Sequence, residues 1–292
     1  MPLYNTKHSS SKNTNKLNPK QTYQTEKMAT EISHVTTMPL ENRIAVVTGA
    51  SRGIGREIIM QLASLGERLV LNYASNSAQA DSLAAELNSR YSSLIDTPRA
   101  VTVQGDVSDP DAVRAMFDRA EQAFGSQAHI LVACAGILNS KYPLLAETTI
   151  EDFDEMFRVN ARGTFLLCRE AAKRLPSNGW GRIVTFSSSI LGTLLPGYGA
   201  YTATNAAVET MTKILAKELQ GTGVTANVVA PGPVKTDLFF GGKDEDFVKK
   251  VTERSSGRIG ETTDIAPVVG FLVCEGAGWV NGQVIRVNGG FV

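Results

Sequence analysis

The sequence predicts an α/β fold, with one doubly wound parallel sheet of about seven strands flanked by helices. Short apolar runs alternate with helical patterns of about ten or more residues from residue 42 onward. The strand-like runs are continuously apolar, as expected for strands that are covered on both faces. Neither an internal repeat nor a second domain boundary is visible, so residues 41–292 are expected to form one domain.

The strands are predicted where runs rich in Val, Ile and Leu are bounded by glycine or polar residues. In chain order they are Ile44–Thr48, Leu69–Tyr73, Ala100–Gln104, Ile130–Ala133, Arg182–Ser187, Val224–Val229 and Val284–Val287.

Helical patterns separate these strands. One runs from about Gly53 to Leu65, and a second over Ser77–Arg90 has apolar residues at helical spacing. Ser108-Asp109-Pro110 predicts a helix start, because proline suits the first turn and acids complement the helix dipole. Two long helices, near residues 150–174 and 199–220, flank the fifth strand. Alternating strands and helices imply right-handed crossovers between parallel strands.

The composition argues against several classes of function. The 292 residues carry 29 basic and 29 acidic side chains, so neither nucleic acid nor an anionic membrane is expected as a partner. No apolar run reaches the roughly 18 residues of a membrane span. The three histidines (His8, His34 and His129) are too few and too scattered to predict a metal site or a histidine-centred triad. Three cysteines without CxxC spacing are expected to be buried free thiols.

The N-terminal stretch differs from the rest of the chain. Residues 1–27 hold five lysines against one acid and show no hydrophobic period, so residues 1–40 are expected to form a disordered extension. A serine-rich, acid-poor composition suits a transit peptide, but the absence of arginine argues against one. Met28 could equally be a natural start. The expected location is the cytoplasm, with the plastid as the alternative if residues 1–27 act as a transit segment.

A glycine-rich turn joins the first strand to the first helix. It reads Thr48-Gly49-Ala50-Ser51-Arg52-Gly53-Ile54-Gly55. Glycines at such a turn allow the backbone to approach a pyrophosphate, which then rests on the N-terminus of the helix. The sequence therefore predicts a Rossmann-type sheet that binds a dinucleotide.

The chain resembles the short-chain dehydrogenase/reductase family from about residue 40 to residue 292. Within that family it is most similar to plant NADPH-dependent aldehyde or carbonyl reductases. Beyond the glycine-rich turn, the matching residues are Asp106-Val107, Asn160, Ser188, Tyr201, Pro231–Thr236, Asn281–Gln283 and Asn288–Gly290.

The expected cofactor is NADP(H). A site for NAD places a carboxylate at the end of the second strand, but here that strand ends Asn72-Tyr73-Ala74-Ser75-Asn76. Arg52 supplies a cation for the 2′-phosphate. The resemblance and the turn together assign cofactor binding to Gly49, Ser51, Arg52, Gly53, Ile54, Gly55, Asp106, Val107, Ala135, Gly136, Asn160, Tyr201, Asn205, Pro231, Gly232, Val234 and Thr236.

The resemblance also implies catalytic roles. Tyr201 would donate the proton to the carbonyl oxygen during hydride transfer, and Ser188 would polarise that oxygen. Ser187 and Ser189 flank Ser188, so the choice among the three hydroxyls rests on spacing alone. Asn160 would hold a kink or a water of the proton relay.

Position 205 departs from the family pattern Tyr-x-x-x-Lys, because Asn205 replaces the lysine. An asparagine can still hydrogen-bond the nicotinamide ribose, but it brings no charge. Without the ammonium, the pKa of Tyr201 should stay nearer its usual value of about 10, which favours reduction over oxidation. The fourth strand also ends Ala133-Cys134-Ala135-Gly136 where the family has Asn-Asn-Ala-Gly, and the loss of the first asparagine implies some looseness there.

The segment 237–258 matches the substrate lid of the family. Its aromatic residues indicate an apolar carbonyl or alcohol substrate, although packing within the lid is an equal interpretation. Tyr142 and Tyr198 are further candidates for the pocket. The resemblance implies a homodimer or homotetramer formed through the two long helices, and the apolar residues on more than one face of 199–220 agree with this.

Two alternatives to a reductase remain open at this stage. Asn205 would suit a non-redox protein on the same scaffold, such as a cyclase, an isomerase or a cofactor-binding protein. It would also suit a weakened or inactive variant of an ordinary reductase.

Overall fold

The strands of the sheet all run parallel. The computed structural model describes residues 39–91 and 97–292, and its strands are β1 Ile44–Val47, β2 Arg68–Tyr73, β3 Ala100–Gln104, β4 Ile130–Ala133, β5 Arg182–Phe186, β6 Thr225–Pro231 and β7 Val284–Val287. Their order across the sheet is β3-β2-β1-β4-β5-β6-β7. The predicted doubly wound sheet is therefore confirmed, and the strand ends differ from the prediction by one or two residues.

The helices of the described residues lie between these strands. They are α1 Gly53–Ser64, α2 Ser77–Tyr91, α3 Pro110–Phe124, α4 Ile150–Met156, α5 Thr164–Arg174, α6 Ile190–Thr193, α7 Gly199–Glu218, α8 Asp237–Phe240, α9 Glu245–Arg254 and α10 Thr262–Val273. Within these residues, no helix combines the length and the hydrophobicity that a bilayer span requires.

Both faces of the sheet are covered by apolar side chains. Ala45 and Val47 of β1 join one hydrophobic cluster, which includes residues of α1 and α10. Ile44 and Val46 of the same strand join the other cluster, which includes residues of α3 and α5. Burial on both sides explains why the strands read as continuous apolar runs.

The structure corrects the sequence-based boundaries in three places. Leu40 was expected in the extension, but it is fully buried and its N–H donates to the Leu65 carbonyl, so it belongs to the folded part. The helix predicted near residues 150–174 is interrupted by a π-helical segment, Phe157–Gly163. Helix α10 was not predicted at all. The expected disorder of residues 1–38 concerns a stretch outside the described residues.

The cysteines follow the expectation only in part. All three are free thiols, but only Cys168 is buried, while Cys134 and Cys274 are partly exposed. Burial raises the pKa of the Cys168 thiol to about 12, so this group stays protonated.

The sheet order reverses between β1 and β4, which pair directly although β2 and β3 lie between them in the chain. At such a switch point the loops at the carboxyl ends of the strands diverge and leave a crevice. The predicted site residues follow β1, β3, β4, β5 and β6, so they all lie along this carboxyl edge.

Candidate active site

The glycine-rich turn after β1 has no room for a side chain at Gly49 or at Gly55. Gly49 has a φ of 64°, and a Cβ there would lie 3.0 Å from the Ala135 Cα. A Cβ on Gly55 would lie 2.2 Å from the Gly49 carbonyl oxygen. Glycine is therefore required at both positions. Gly49 lets the turn approach the residues after β4, and Gly55 lets helix α1 approach the turn.

The start of α1 fits a phosphate group. The first turn of the helix contains Gly53, Ile54 and Gly55, holds no acidic residue, and is not capped by the side chain of Arg52. Backbone N–H groups at such a helix start can donate to an anion. Thr236 borders the same place, because a Cβ on Gly53 would lie 3.3 Å from its Cγ2 atom. These residues fit the pyrophosphate of a dinucleotide.

Arg52 is exposed beside this turn and forms a salt bridge with Asp237, with 3.3 Å between Nη1 and Oδ2. Asn72, near the end of β2, is buried and donates to the carbonyl of Gly105, while Ala74, Ser75 and Asn76 beyond the strand are exposed. No carboxylate stands in this stretch to repel a 2′-phosphate, and Arg52 is available once it leaves Asp237. The arrangement suits NADP(H).

Asp106, which follows β3, is held in place by its neighbours. Its carboxylate accepts from the N–H and hydroxyl of Ser108 and forms a 2.7 Å salt bridge with Arg158. Partial burial acts to raise the pKa of Asp106, but these hydrogen bonds outweigh burial and hold it below its usual value. The adjacent Val107 packs against the π-helical segment at Gly163. This Asp106–Arg158 contact was not predicted.

Thr48 is a further residue that the sequence analysis missed. Its hydroxyl oxygen accepts from the backbone N–H groups of Cys134 and Ala135, each at 3.1 Å. This oxygen braces β4 against β1 at the place where looseness was expected. The signal in the sequence that could have predicted this contact was a threonine directly after the first strand.

Asn160 lies inside the π-helical segment and is buried. Its side chain accepts from the N–H of Ile137 at 2.8 Å and donates to the carbonyl of Ile137 at 2.9 Å. It also donates to the hydroxyl of Thr204, beside Asn205. The Thr164 hydroxyl donates a hydrogen bond to the backbone carbonyl of Asn160. Asn160 therefore fixes the loop after β4 to helix α7, and the kink expected there is a π-helical turn.

Tyr201, Ser188 and Asn205 meet at one point. Burial raises the pKa of the Tyr201 phenol above its usual value, and hydrogen bonds with Asn205 and Ser188 partly oppose this. Asn205 is buried and its amide also donates to the Tyr201 backbone carbonyl at 2.8 Å. The phenol is therefore protonated at neutral pH and has a hydroxyl and an amide beside it.

The two serines that flank Ser188 have other partners. The Ser187 hydroxyl donates to Glu209 at 2.9 Å, and the Ser189 hydroxyl donates to the Ala230 carbonyl at 3.1 Å. Both are buried, whereas Ser188 is only half-buried and lies at Tyr201. Among the three candidate hydroxyls, the geometry favours Ser188.

The segment after β6 completes the crevice. Pro231 and Val234 are buried, and a Cβ on Gly232 would lie 2.7 Å from the Asn288 Cα. Thr236 caps α8, because its hydroxyl oxygen accepts from the N–H of Phe239. The segment thereby leads from the sheet to the lid, whose residues 237–258 hold α8 and α9.

A small, open pocket lies beside Tyr201 and includes Tyr198, Leu138, Pro143 and Met156 in its lining. Leu238 and Phe240 of the lid are exposed. Lys243 of the lid contacts Tyr142 and was not singled out from the sequence. The surroundings of Tyr201 are thus mostly apolar and aromatic.

Comparisons with known proteins agree with this geometry. The family model described as Enoyl-(Acyl carrier protein) reductase matches residues 49–292. An NADPH-dependent aldehyde reductase-like protein, chloroplastic, from Arabidopsis thaliana is 54% identical, over 87% of this chain and 96% of the relative. A short-chain type dehydrogenase/reductase from Picea abies is 51% identical, over 87% and 93%.

A solved structure is also similar. The crystal structure of a short chain dehydrogenase from Burkholderia cenocepacia in complex with NADP has a TM-score of 0.77 and 32% identity, and the match covers 87% of this chain and 99% of that one.

Proposed function

Because this chain belongs to the short-chain dehydrogenase/reductase family, we propose that its site reduces a small, apolar carbonyl compound to an alcohol. The protein is an NADP(H)-dependent oxidoreductase. The observation that carries the proposal is the meeting of Tyr201 with Ser188 and Asn205.

The cofactor, when bound, supplies the hydride. The Tyr201 hydroxyl donates a proton to the carbonyl oxygen of the substrate, and Ser188 donates a hydrogen bond to the same oxygen. Asn205 orients Tyr201 by donating to its backbone carbonyl, and its amide would hydrogen-bond the nicotinamide ribose of a bound cofactor. Asn160 holds the loop after β4 in place for these groups.

The direction of the reaction follows from the protonation state of Tyr201. Reduction needs a phenol, and oxidation needs a phenolate. Because burial raises the pKa of Tyr201 and no ammonium stands at position 205, the phenol predominates at neutral pH. We therefore expect reduction to be the faster direction.

The substrate class rests on the lining of the pocket and on the relatives. The pocket is lined mainly by apolar and aromatic side chains, and the lid adds the exposed Leu238 and Phe240 among charged residues. The Arabidopsis relative is named as an aldehyde reductase. Both favour a small aldehyde or ketone with an apolar substituent.

The test is a panel of aldehydes and ketones, with NADPH consumption followed by absorbance and cofactor binding measured in parallel. We expect turnover of some aldehydes, with NADPH preferred over NADH. Tyr201→Phe should lower kcat at least about 100-fold and leave NADPH affinity nearly unchanged. NADPH binding without turnover of any carbonyl would instead favour the second candidate, a non-redox or weakened member of the family, to which Asn205 points.

The oligomeric state belongs to the same proposal. Ile150 and Phe153 of α4, Phe165 of α5 and Ile214 of α7 are exposed. Apolar side chains on the outer faces of long helices suit burial against a second copy. We propose a homodimer or homotetramer, which light scattering of the purified protein would test.

The proposed location is the cytoplasm, and the plastid is the alternative. The Arabidopsis relative is described as chloroplastic. Residues 1–27 fused to a fluorescent protein decide between the two: import into plastids overturns the cytoplasmic proposal.

A further inference from the structure

Lys243 is a lid lysine with an unusual environment. Its amino group donates to the Tyr142 hydroxyl at 2.6 Å and to the carbonyl of Phe239. It lies 4.7 Å from the ring centre of Tyr142, 4.9 Å from that of Phe239 and 5.8 Å from that of Phe247. A cation is attracted to such ring faces, so the amine is held in place although it is half-buried.

Tyr142 connects this amine to a second phenol. Its hydroxyl donates to the Gly241 carbonyl at 2.6 Å, and its oxygen accepts from Lys243. The rings of Tyr142 and Tyr198 are in contact, with their centres 4.9 Å apart. Lys243, Tyr142 and Tyr198 therefore lie next to one another, from the lid to the residue before α7.

This row of side chains ends near the reactive phenol. Tyr198 is the residue directly before α7, Tyr201 lies in the first turn of that helix, and both line the same pocket.

We propose, on the basis of the function proposed above, that Lys243 supplies through Tyr142 and Tyr198 the proton that Tyr201 loses in each reduction. In this role it takes the place of the ammonium that Asn205 does not provide. Lys243 is then a proton-supplying and positioning residue, since it reaches the reacting atoms only through other side chains.

The protons balance over one cycle. Tyr201 gives its hydroxyl proton to the substrate oxygen and becomes a phenolate. Tyr198 passes a proton to Tyr201, Tyr142 turns its hydroxyl from Gly241 and passes a proton to Tyr198, and the Lys243 ammonium passes one to Tyr142. The amine then recovers a proton from solvent, and no oxidant or reductant is consumed.

The titration of the amine supports this role. Burial lowers the pKa of Lys243 to about 8, which is nearer to neutral than that of an exposed lysine. A donor with a pKa near the working pH both holds and releases its proton readily. The titratable groups that face it are the phenols of Tyr142 and Tyr198, whereas the lid contributes the uncharged rings of Phe239 and Phe247. The adjacent Asp244 carboxylate caps α9.

The experiment compares Lys243→Met in two backgrounds of the full chain, Asn205 and Asn205→Lys. We expect Lys243→Met to lower kcat for NADPH-dependent reduction at least about tenfold with Asn205, and to have little effect where the lysine at 205 restores the charge. Tyr142→Phe, which keeps the ring but removes the hydroxyl, should lower kcat similarly with Asn205. NADPH affinity should not change.

The pH profile is the second readout. With Lys243 present, kcat for reduction should fall as the pH rises through about 8, and Lys243→Met should lack this fall. Lys249→Met, an exposed lysine of the lid helix α9, is the control and should behave as the parent chain.

Equal losses from Lys243→Met in the two backgrounds would overturn the proposal, because a purely structural contact of the lid does not depend on position 205. Full activity of Tyr142→Phe would overturn it as well. Failure of the proposed function looks different: Tyr201→Phe would then keep its activity whatever the Lys243 variants do.

Discussion

Asn205 is the residue that the sequence analysis identified as a departure from the Tyr-x-x-x-Lys pattern. It is buried, it makes a 2.8 Å hydrogen bond to the Tyr201 backbone, and it lies beside the Tyr201 phenol. An amide can take over the positioning part of a lysine's role. It cannot stabilise a phenolate by charge, so protonation of Tyr201 depends on other groups.

Asn205→Lys should therefore change the two directions of the reaction unequally. An ammonium about 4 Å from the phenol oxygen is worth up to roughly 4 kcal/mol at an effective dielectric near 20, and it would lower the pKa of Tyr201. We expect alcohol oxidation to gain about 10- to 100-fold and reduction to gain less. Steady-state kinetics in both directions measure this, with Asn205→Gln as the uncharged control. An oxidation gain no larger than the reduction gain would refute the argument.

Single residues were predictable where a motif fixed them and not where distant segments meet. Ser188 and Tyr201 could be assigned from their spacing, and the structure brings them together. Lys243 contacts Tyr142, which lies 101 residues away in the chain. Nothing in the local sequence distinguishes that lysine from its neighbours, since the contact depends on how the lid folds back.

At the scale of elements, burial decides what the sequence reveals. The buried strands were predicted because runs such as Ile44–Val47 are apolar on both faces. Helix α10 was missed because Thr262–Val273 is nearly all apolar and contains Pro267, so it shows neither polar face nor helical period. It is helical because it packs against both the sheet and α1, where Gly270 approaches Leu65. The π-helical turn at Asn160 likewise could not be predicted from the spacing of apolar residues along the chain.

Helix α1 depends on Gly55 for its close approach to the turn. Gly55→Ala would place a Cβ 2.2 Å from the Gly49 carbonyl oxygen, which is backbone and cannot move aside alone. We expect NADP(H) affinity to fall at least about tenfold and the free energy of unfolding to fall by roughly 2 kcal/mol.

Cofactor titration and urea denaturation measure these two effects. Gly276→Ala is the matched control, because a Cβ there meets no atom within 4 Å. Unchanged cofactor affinity in Gly55→Ala would contradict the role assigned to this close approach.

At the scale of the whole molecule, Glu67 at the start of β2 makes stability depend on pH. It is fully buried, and among the described residues neither of its carboxylate oxygens has a hydrogen-bond partner. Burial raises its pKa to about 8, although the nearby Arg43 opposes this. The folded state therefore holds the proton more tightly than the unfolded state, and this stabilisation is present at low pH and lost as the pH rises through about 8.

Glu67→Gln should remove this dependence. We expect the parent chain to lose roughly 2 kcal/mol of unfolding free energy between about pH 5 and pH 9, and the variant to lose much less. Urea denaturation at both pH values tests this, with the exposed Glu253→Gln as the control. Parallel curves for the parent and Glu67→Gln would show that the carboxyl group does not titrate in the folded state.

The direct pairing of β1 with β4 bears on how the protein is made. Gly49 packs against Ala135, so one wall of the phosphate-binding turn comes from a strand synthesised well after the turn itself. A nascent chain that stops before β4 carries every glycine of the motif and still lacks that wall. The nucleotide-binding half is consequently not a detachable module, and engineered fragments or domain fusions need to retain the chain at least through β4.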